Sequence, residues 1–161
     1  MRKIIYITLS IFVSIIAGCG DKSRPSDLPP LYSCTVTVTQ DGQPLEGATI
    51  RFDSVDSAGA KYQAAAVSGA DGTASMKTYG VQGSPVGKYK VVVTKIVSES
   101  TEYKLNESTG KEEPVNSKRY RFVEPQFTSA ETTPLEIEIT GNEKNVIKTF
   151  DVGKAVKEFI E

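Results

Sequence analysis

Histidine and tryptophan do not occur in these 161 residues, cysteine occurs twice, and aromatic side chains make up only 8% of the chain. Each shortage excludes a class of chemistry. Without imidazole there are no His-based zinc sites, no Ser-His-Asp or Cys-His nucleophile pairs and no histidine acid–base catalysis, which removes the commonest hydrolase mechanisms. An excess of basic charge is lacking as well: 19 Lys and Arg stand against 20 Asp and Glu. No basic stretch is long enough to follow a phosphate backbone, so nucleic acid is set aside as a partner. Long apolar runs are scarce too. The one near the N-terminus, Ile4 to Ala17, is about 14 residues, short of the roughly 20 that a membrane-crossing helix needs.

That run follows a basic start, Met1-Arg2-Lys3, and ends in two small residues, Ala17 and Gly18, ahead of Cys19. A basic start, a short apolar core and small residues at the boundary read as a cleaved signal peptide over 1–18, because the peptidase that removes such segments accepts only small side chains beside the cut. Ile16-Ala17-Gly18-Cys19 resembles the lipobox of bacterial lipoproteins, usually Leu, small, small, Cys, with Ile here in place of Leu. The resemblance implies that Cys19 is the lipid-attachment residue, its sulfur alkylated with diacylglycerol and, in many such proteins, its new amine acylated. At ~0.8 kcal/mol per buried CH₂, two or three palmitate-type chains hold a protein on a membrane, whereas one does so only reversibly. The expected location is therefore the bacterial cell envelope, lipid-anchored to a membrane and either periplasmic or surface-facing. With Cys19 occupied, Cys34 has no disulfide partner in the chain and reads as a buried, inert thiol.

Residues 19–33 are rich in Pro, Ser and charge and read as a tether. From Cys34 the pattern becomes strict alternation. In "CTVTVTQDG", Cys34, Val36 and Val38 share one face and Thr35, Thr37 and Thr39 the other, as in a half-buried strand closed by an Asp41-Gly42 turn. Ala48, Ile50 and Phe52 repeat the alternation, with Leu45 before them as a plug at the end of the core. Two short strands flank Asp71-Gly72, and after Pro85 and Gly87 the segment "KYKVVVTKIV" is the most β-prone of the chain. "TPLEIEIT" and "NVIKTFDV" complete about seven strands with turn signals between them, so the fold class is an all-β antiparallel sandwich, prealbumin-like or Ig-like. Residues 98–118 read as a long polar loop inside the domain at 34–152, functional or disordered, with composition favouring disorder and a short hairpin or helix formed against a partner as the alternative. Residues 153–161 read as a tail, and in "VGKAVKEFIE" Val152, Val156 and Phe159 fall at helical spacing, enough for one terminal turn or two.

In order, "VTVTQDGQPLEGATIRF", "SGADGTASMKT", "GSPVGKYKVVVTK", "FVEPQFTSAETTPLEIEI" and "NVIKTFDV" resemble the small envelope lipoproteins with a transthyretin-like, or carboxypeptidase regulatory-like, domain found in Planctomycetes and related bacteria. The resemblance spans nearly all of Cys34 to Val152. It implies a prealbumin-like sandwich acting as an accessory module without catalysis of its own. An enzyme of the wider superfamily, the hydroxyisourate hydrolase, depends on histidines and a C-terminal Tyr-Arg-Gly-Ser; this chain has neither and ends "KEFIE".

The expected function is therefore a membrane-tethered, non-catalytic structural or protein-interaction module, acting on an unidentified envelope protein or glycan with no cofactor. The alternative is a carbohydrate- or glycan-binding module displayed at the membrane. For that alternative, Tyr62, Tyr79, Tyr89, Tyr103 and Tyr120 offer faces that stack on sugars, although without Trp or clustering they fit sandwich and loop tyrosines better. Asp53, Asp56 and Asp71 match no calcium-loop spacing and read as turn carboxylates. "KRYRF", Lys118 to Phe122, offers three cations to an anionic partner or simply flanks a strand. Collagen-adhesin-type isopeptide bonds need a first-strand lysine that "CTVTVT" lacks, and Asn106-Glu107-Ser108 is a coincidental glycosylation sequon.

Overall fold

The structure, a computed structural model, describes residues 25–56 and 61–160. The expected signal peptide over 1–18 and the expected lipid-attachment residue Cys19 lie outside the described residues. In chain order the strands are β1 Ser33–Gln40, β2 Gln43–Pro44, β3 Thr49–Ser54, β4 Ala64–Val67, β5 Thr73–Ser75, β6 Lys77–Thr78, β7 Val81–Gln82 and β8 Gly87–Thr94. There follow β9 Ile96–Glu99, β10 Glu102–Asn106, β11 Lys111–Val115, β12 Lys118–Arg121, β13 Glu136–Ile139, β14 Asn145–Asp151 and β15 Glu158–Phe159, with a 3-10 turn at Pro125–Phe127.

Two sheets face each other. One has the order β13-β8-β3-β4-β6-β7 and is antiparallel throughout. In the other, β1 is central, with β14 on one side and the short β2 and β5 on the other. The β1–β14 pair is parallel, with Val36 opposite Lys148 and Val38 opposite Phe150, so the sandwich is antiparallel except at that seam. The alternation in β1 buries Cys34, Val36 and Val38 completely. Ile50 and Phe52 from β3, Tyr89, Val91 and Val93 from β8, Ile137 and Ile139 from β13 and Val146 and Phe150 from β14 join them in one core cluster. The Phe52 and Tyr89 rings stack at 5.6 Å within it. Burying a side chain of this size is worth about 1.5–3 kcal/mol, so the sheets hold together through these alternate positions.

Turn chemistry fixes the register. Asp41 and Gly42 take φ of 50° and 73°, the two left-handed residues of a tight hairpin turn between β1 and β2. Gly72 is needed for space as well as for its φ of 73°, since a Cβ there would lie 2.5 Å from the Val38 carbonyl oxygen. Leu45 is buried beside it, at the edge of the core as its spacing suggests. β14 forms the outer edge of its sheet, and Lys148 occupies the face shared by the buried Val146 and Phe150 while remaining exposed. An inward-facing charge on an edge strand discourages another strand from adding there.

Three expectations are corrected. The stretch 98–118 is a β-hairpin rather than a disordered loop: β10 and β11 pair from Glu102↔Val115 to Asn106↔Lys111. The tail 153–161 forms no helical turn among its described residues; Glu158–Phe159 instead adds as β15 to β12. The described part of the expected tether also packs against the body. Tyr32 bridges to Ser84, and Tyr62 donates to the Asp27 carbonyl at 2.9 Å, because proline-rich chain with open carbonyls can dock where donors meet it.

Candidate interaction surface

β9 and β12 pair from Ile96↔Arg121 to Glu99↔Lys118, and β10 and β11 continue in the same register after a break at Ser100-Thr101 and Asn116-Ser117. The chain from Ile96 to Arg121 is thus one long hairpin arm. At ~3.3 Å per residue its outgoing strand extends roughly 35 Å. Asn116 takes a φ of 55°, and the Ser100 hydroxyl donates to the carbonyls of Glu102 and Val115 at 2.9 and 2.8 Å, which closes the break without losing the register. The tip is a turn in which Gly110 donates to the Asn106 carbonyl at 2.8 Å with a φ of 66°.

Opposite residues in a sheet share a face, which sorts the arm's side chains. Val97, Tyr120 and Phe159 come together on one face at the arm's root, with the Tyr120 and Phe159 rings edge to face at 5.9 Å. Lys157 lies 4.4 Å from the centre of the Tyr120 ring and 2.7 Å from the Glu99 carboxylate. The other face carries Arg121, paired with Glu158 at 2.5 Å, and Ile96. At the tip, Tyr103 faces Pro114 and Leu105 faces Glu112. Tyr103 is 60% exposed and Leu105 64% at the tip, and Phe159 of β15 is 59% exposed at the root, large apolar groups left in water on elements that add nothing to the core cluster. Exposed apolar surface grouped in this way marks contact sites.

The arm and the entry of the chain lie at opposite ends of the sandwich. Pro29 borders Pro85, Val86 and Gly87 at the start of β8, and Ser33 begins β1. β8 runs from there to Thr94 and passes into the arm at the far end, while β1 ends at Gln40, against the arm's root. The buried Gln40 amide donates to the carbonyls of Phe122 at 2.8 Å and Lys154 at 3.3 Å. The Asp41 carboxylate accepts from the Ala155 N–H at 2.8 Å, and Glu124 accepts from Lys154 N–H at 3.3 Å. Residues 153–160 therefore act as a strap, held to the body at one end and paired with the arm at the other.

The residues singled out from sequence separate accordingly. Cys34 is buried and free, and burial pushes its thiol up to about 11. Tyr89 lies in the core, its hydroxyl donating to the Pro85 carbonyl at 2.9 Å. Tyr62 and Tyr79 meet edge to face at 6.2 Å by the chain entry, and Tyr103 and Tyr120 belong to the arm. Asp53 binds the Arg51 guanidinium at 2.7 Å, Asp71 accepts from Thr73 N–H at 2.9 Å, and Asp56 sits in its own Ser54 turn. "KRYRF" is β12 itself, with Lys118 on one face and Arg119 and Arg121 on the other, so its cations do not form a single patch. Reading from sequence missed the strap, and with it the joining of Phe159 to Tyr120. The alternation of Tyr103 and Leu105 before "NESTG" was the available signal for the hairpin.

No protein-family model and no curated protein matches the chain. Among solved structures it is similar to the major pilin subunit of Bacillus cereus, at 17% identity and a TM-score of 0.41 over 81% of this chain. It is also similar to a 9R-lipoxygenase from Cyanothece, at 13% identity and a TM-score of 0.35, again over 81%. The chain spans 31% of the pilin's length and 18% of the lipoxygenase's.

Proposed function

We propose that this chain is a lipid-anchored envelope protein whose transthyretin-like sandwich is a non-catalytic protein-interaction module, with the β-arm as its contact element. One observation carries the reading: the arm presents Tyr103 and Leu105 to solvent, with Phe159 of the strap exposed at its root, at the end of the sandwich opposite the chain entry. Acyl chains on Cys19 would set that entry toward the membrane and the arm away from it. An arm roughly 35 Å long then extends beyond a body whose strands span about 26 Å, toward partners that do not lie on the anchoring bilayer.

The two halves of the proposal are tested separately. Metabolic labelling with a fatty-acid analogue should mark the parent protein and not Cys19→Ser; equal label on both would remove the anchor. Proteins co-purifying with the membrane-bound parent should be lost from a Tyr103→Ser, Leu105→Ser double variant that retains its label. Identical partners in parent and variant would remove the arm tip as the contact.

A further inference from the structure

Two of the five tyrosines with faces suited to sugars border a cleft, and of these Tyr89, 2% exposed in the core, has no open face to offer. Tyr62 borders a depression of about 300 Å³ at the chain entry, together with Pro29, Ser54, Asp56, Pro85 and Val86. That volume is at the lower end of small-molecule sites, roughly 300–1,000 Å³, and suits one sugar ring rather than a folded cofactor. The Tyr62 ring is held from several sides. Its hydroxyl donates to the Asp27 carbonyl at 2.9 Å and to the Asp27 carboxylate at 3.0 Å, the Tyr79 ring stands edge-on at 6.2 Å, and Lys61 lies 5.2 Å from its centre. The Tyr79 hydroxyl in turn donates to the Lys61 carbonyl at 2.8 Å. A ring fixed before the ligand arrives loses little further freedom on binding.

The polar end of the cleft is also fixed. Ser54 Oγ donates to the Asp56 carbonyl at 2.9 Å and accepts from the Asp56 N–H at 3.2 Å, while the Asp56 carboxylate makes no hydrogen bond among the described residues. Aromatic and proline walls with one open carboxylate fit a ligand that has an apolar face and hydroxyl donors along its edge. A pyranose has both. The Asp56 charge, with Asp27 bound to Lys61 nearby, disfavours sugars that carry carboxylates or sulfates.

We propose that this cleft is a subsite for a neutral pyranose, with Tyr62 stacking on the ring's apolar face and Asp56 accepting from its hydroxyls. The site is independent of the arm and of the lipid anchor. It also differs from another depression of about 340 Å³, lined by Val55, Lys88, Tyr89, Glu136, Ile137 and Glu138, where carboxylates stand on both sides of Ile137.

The test uses the full chain in detergent micelles, titrated with cellotetraose, maltotetraose and tetra-N-acetylchitotetraose and followed by amide shifts. At least one of the three should give saturable shifts centred on Ser54, Asp56, Tyr62 and Gly87. Tyr62→Ala should weaken that binding by at least about ten-fold, a loss of about 1.4 kcal/mol. Tyr62→Phe keeps the ring and should bind within about three-fold of the parent. Val86→Arg alters only an exposed wall and places a side chain able to close the cleft on Asp56, so it should abolish binding even if Tyr62→Ala fails to fold. The proposal is overturned by no saturable shift with any of the three at about 20 mM, by shifts centred on the arm or beside Glu136, or by undiminished binding to Val86→Arg.

Discussion

At the scale of single residues, side-chain parity was the most readable feature of the sequence. Cys34 shares a face with Val36 and Val38, and all three are fully buried. A thiol whose acidity is pushed up to about 11 by burial is scarcely ionised at neutral pH, and the thiolate is the reactive form. Native protein should therefore resist a disulfide reagent at pH 8 for hours and react within minutes in denaturant. Fast labelling of the folded chain would place Cys34 on the wrong face. Asp151 was not legible as special, because one of its partners lies far off in sequence: it accepts from Gly153 N–H, two residues on, at 2.8 Å, and from the distant Thr39 hydroxyl at 2.8 Å. The Gly153 bond foremost, then Thr39, holds its acidity below the ordinary carboxylate value of 3.8. With the folded value depressed, its stabilisation is present above about pH 4 and is lost as pH falls through the folded value. Asp151→Asn should lower the melting temperature at pH 7 and make little difference near pH 2, measured by thermal denaturation at both. An equal loss at both would assign the effect to packing.

The core strands were legible as elements because one face of each is buried and the other is wet, which imprints a period of two on the sequence. The arm was far less so, because both its faces are largely in water and only Tyr103 and Leu105 keep that period. Glu, Lys and Pro at 111–114 resemble loop composition although they form β11. Strands held only by their ladder contribute little to the core. Replacing Ser100 to Ser117 with a short Gly-Ser turn should therefore shift the melting temperature by no more than a few degrees, since closing a loop costs only ~0.6 kcal/mol per doubling of its length. A collapse in melting temperature would make the hairpin part of the fold's stability. The strap was misread for a related reason: Val152, Val156 and Phe159 do fall at helical spacing, but Gln40, Asp41 and Glu124 capture the backbone at 154–155 and direct it along β12. Ending the chain after Gly153 should leave the sandwich folded while amide exchange at Val97 and Tyr120 rises by at least about ten-fold, as expected for opening that costs about 1.4 kcal/mol less. Unchanged exchange there would show that the arm holds its position without the strap.

At the scale of the molecule, sequence was enough for a sandwich of about seven strands but not for its polarity. The chain entry and the arm's root are separated by the full length of β1 and β8, a fact that depends on strand direction and on the Gln40 contact rather than on any motif. The same polarity divides the candidate chemistry, with Tyr62 and Asp56 at the entry and Tyr103 and Leu105 at the tip. The central claim is that the tip makes the contact away from the anchoring membrane. Site-specific photo-crosslinking in intact cells tests it most directly, with the photoreactive group placed at Tyr103 in one variant and at Lys61 in another. The account predicts discrete protein crosslinks from position 103 that are missing from position 61. Protein crosslinks from 61 alone, or lipid crosslinks from 103, would contradict it.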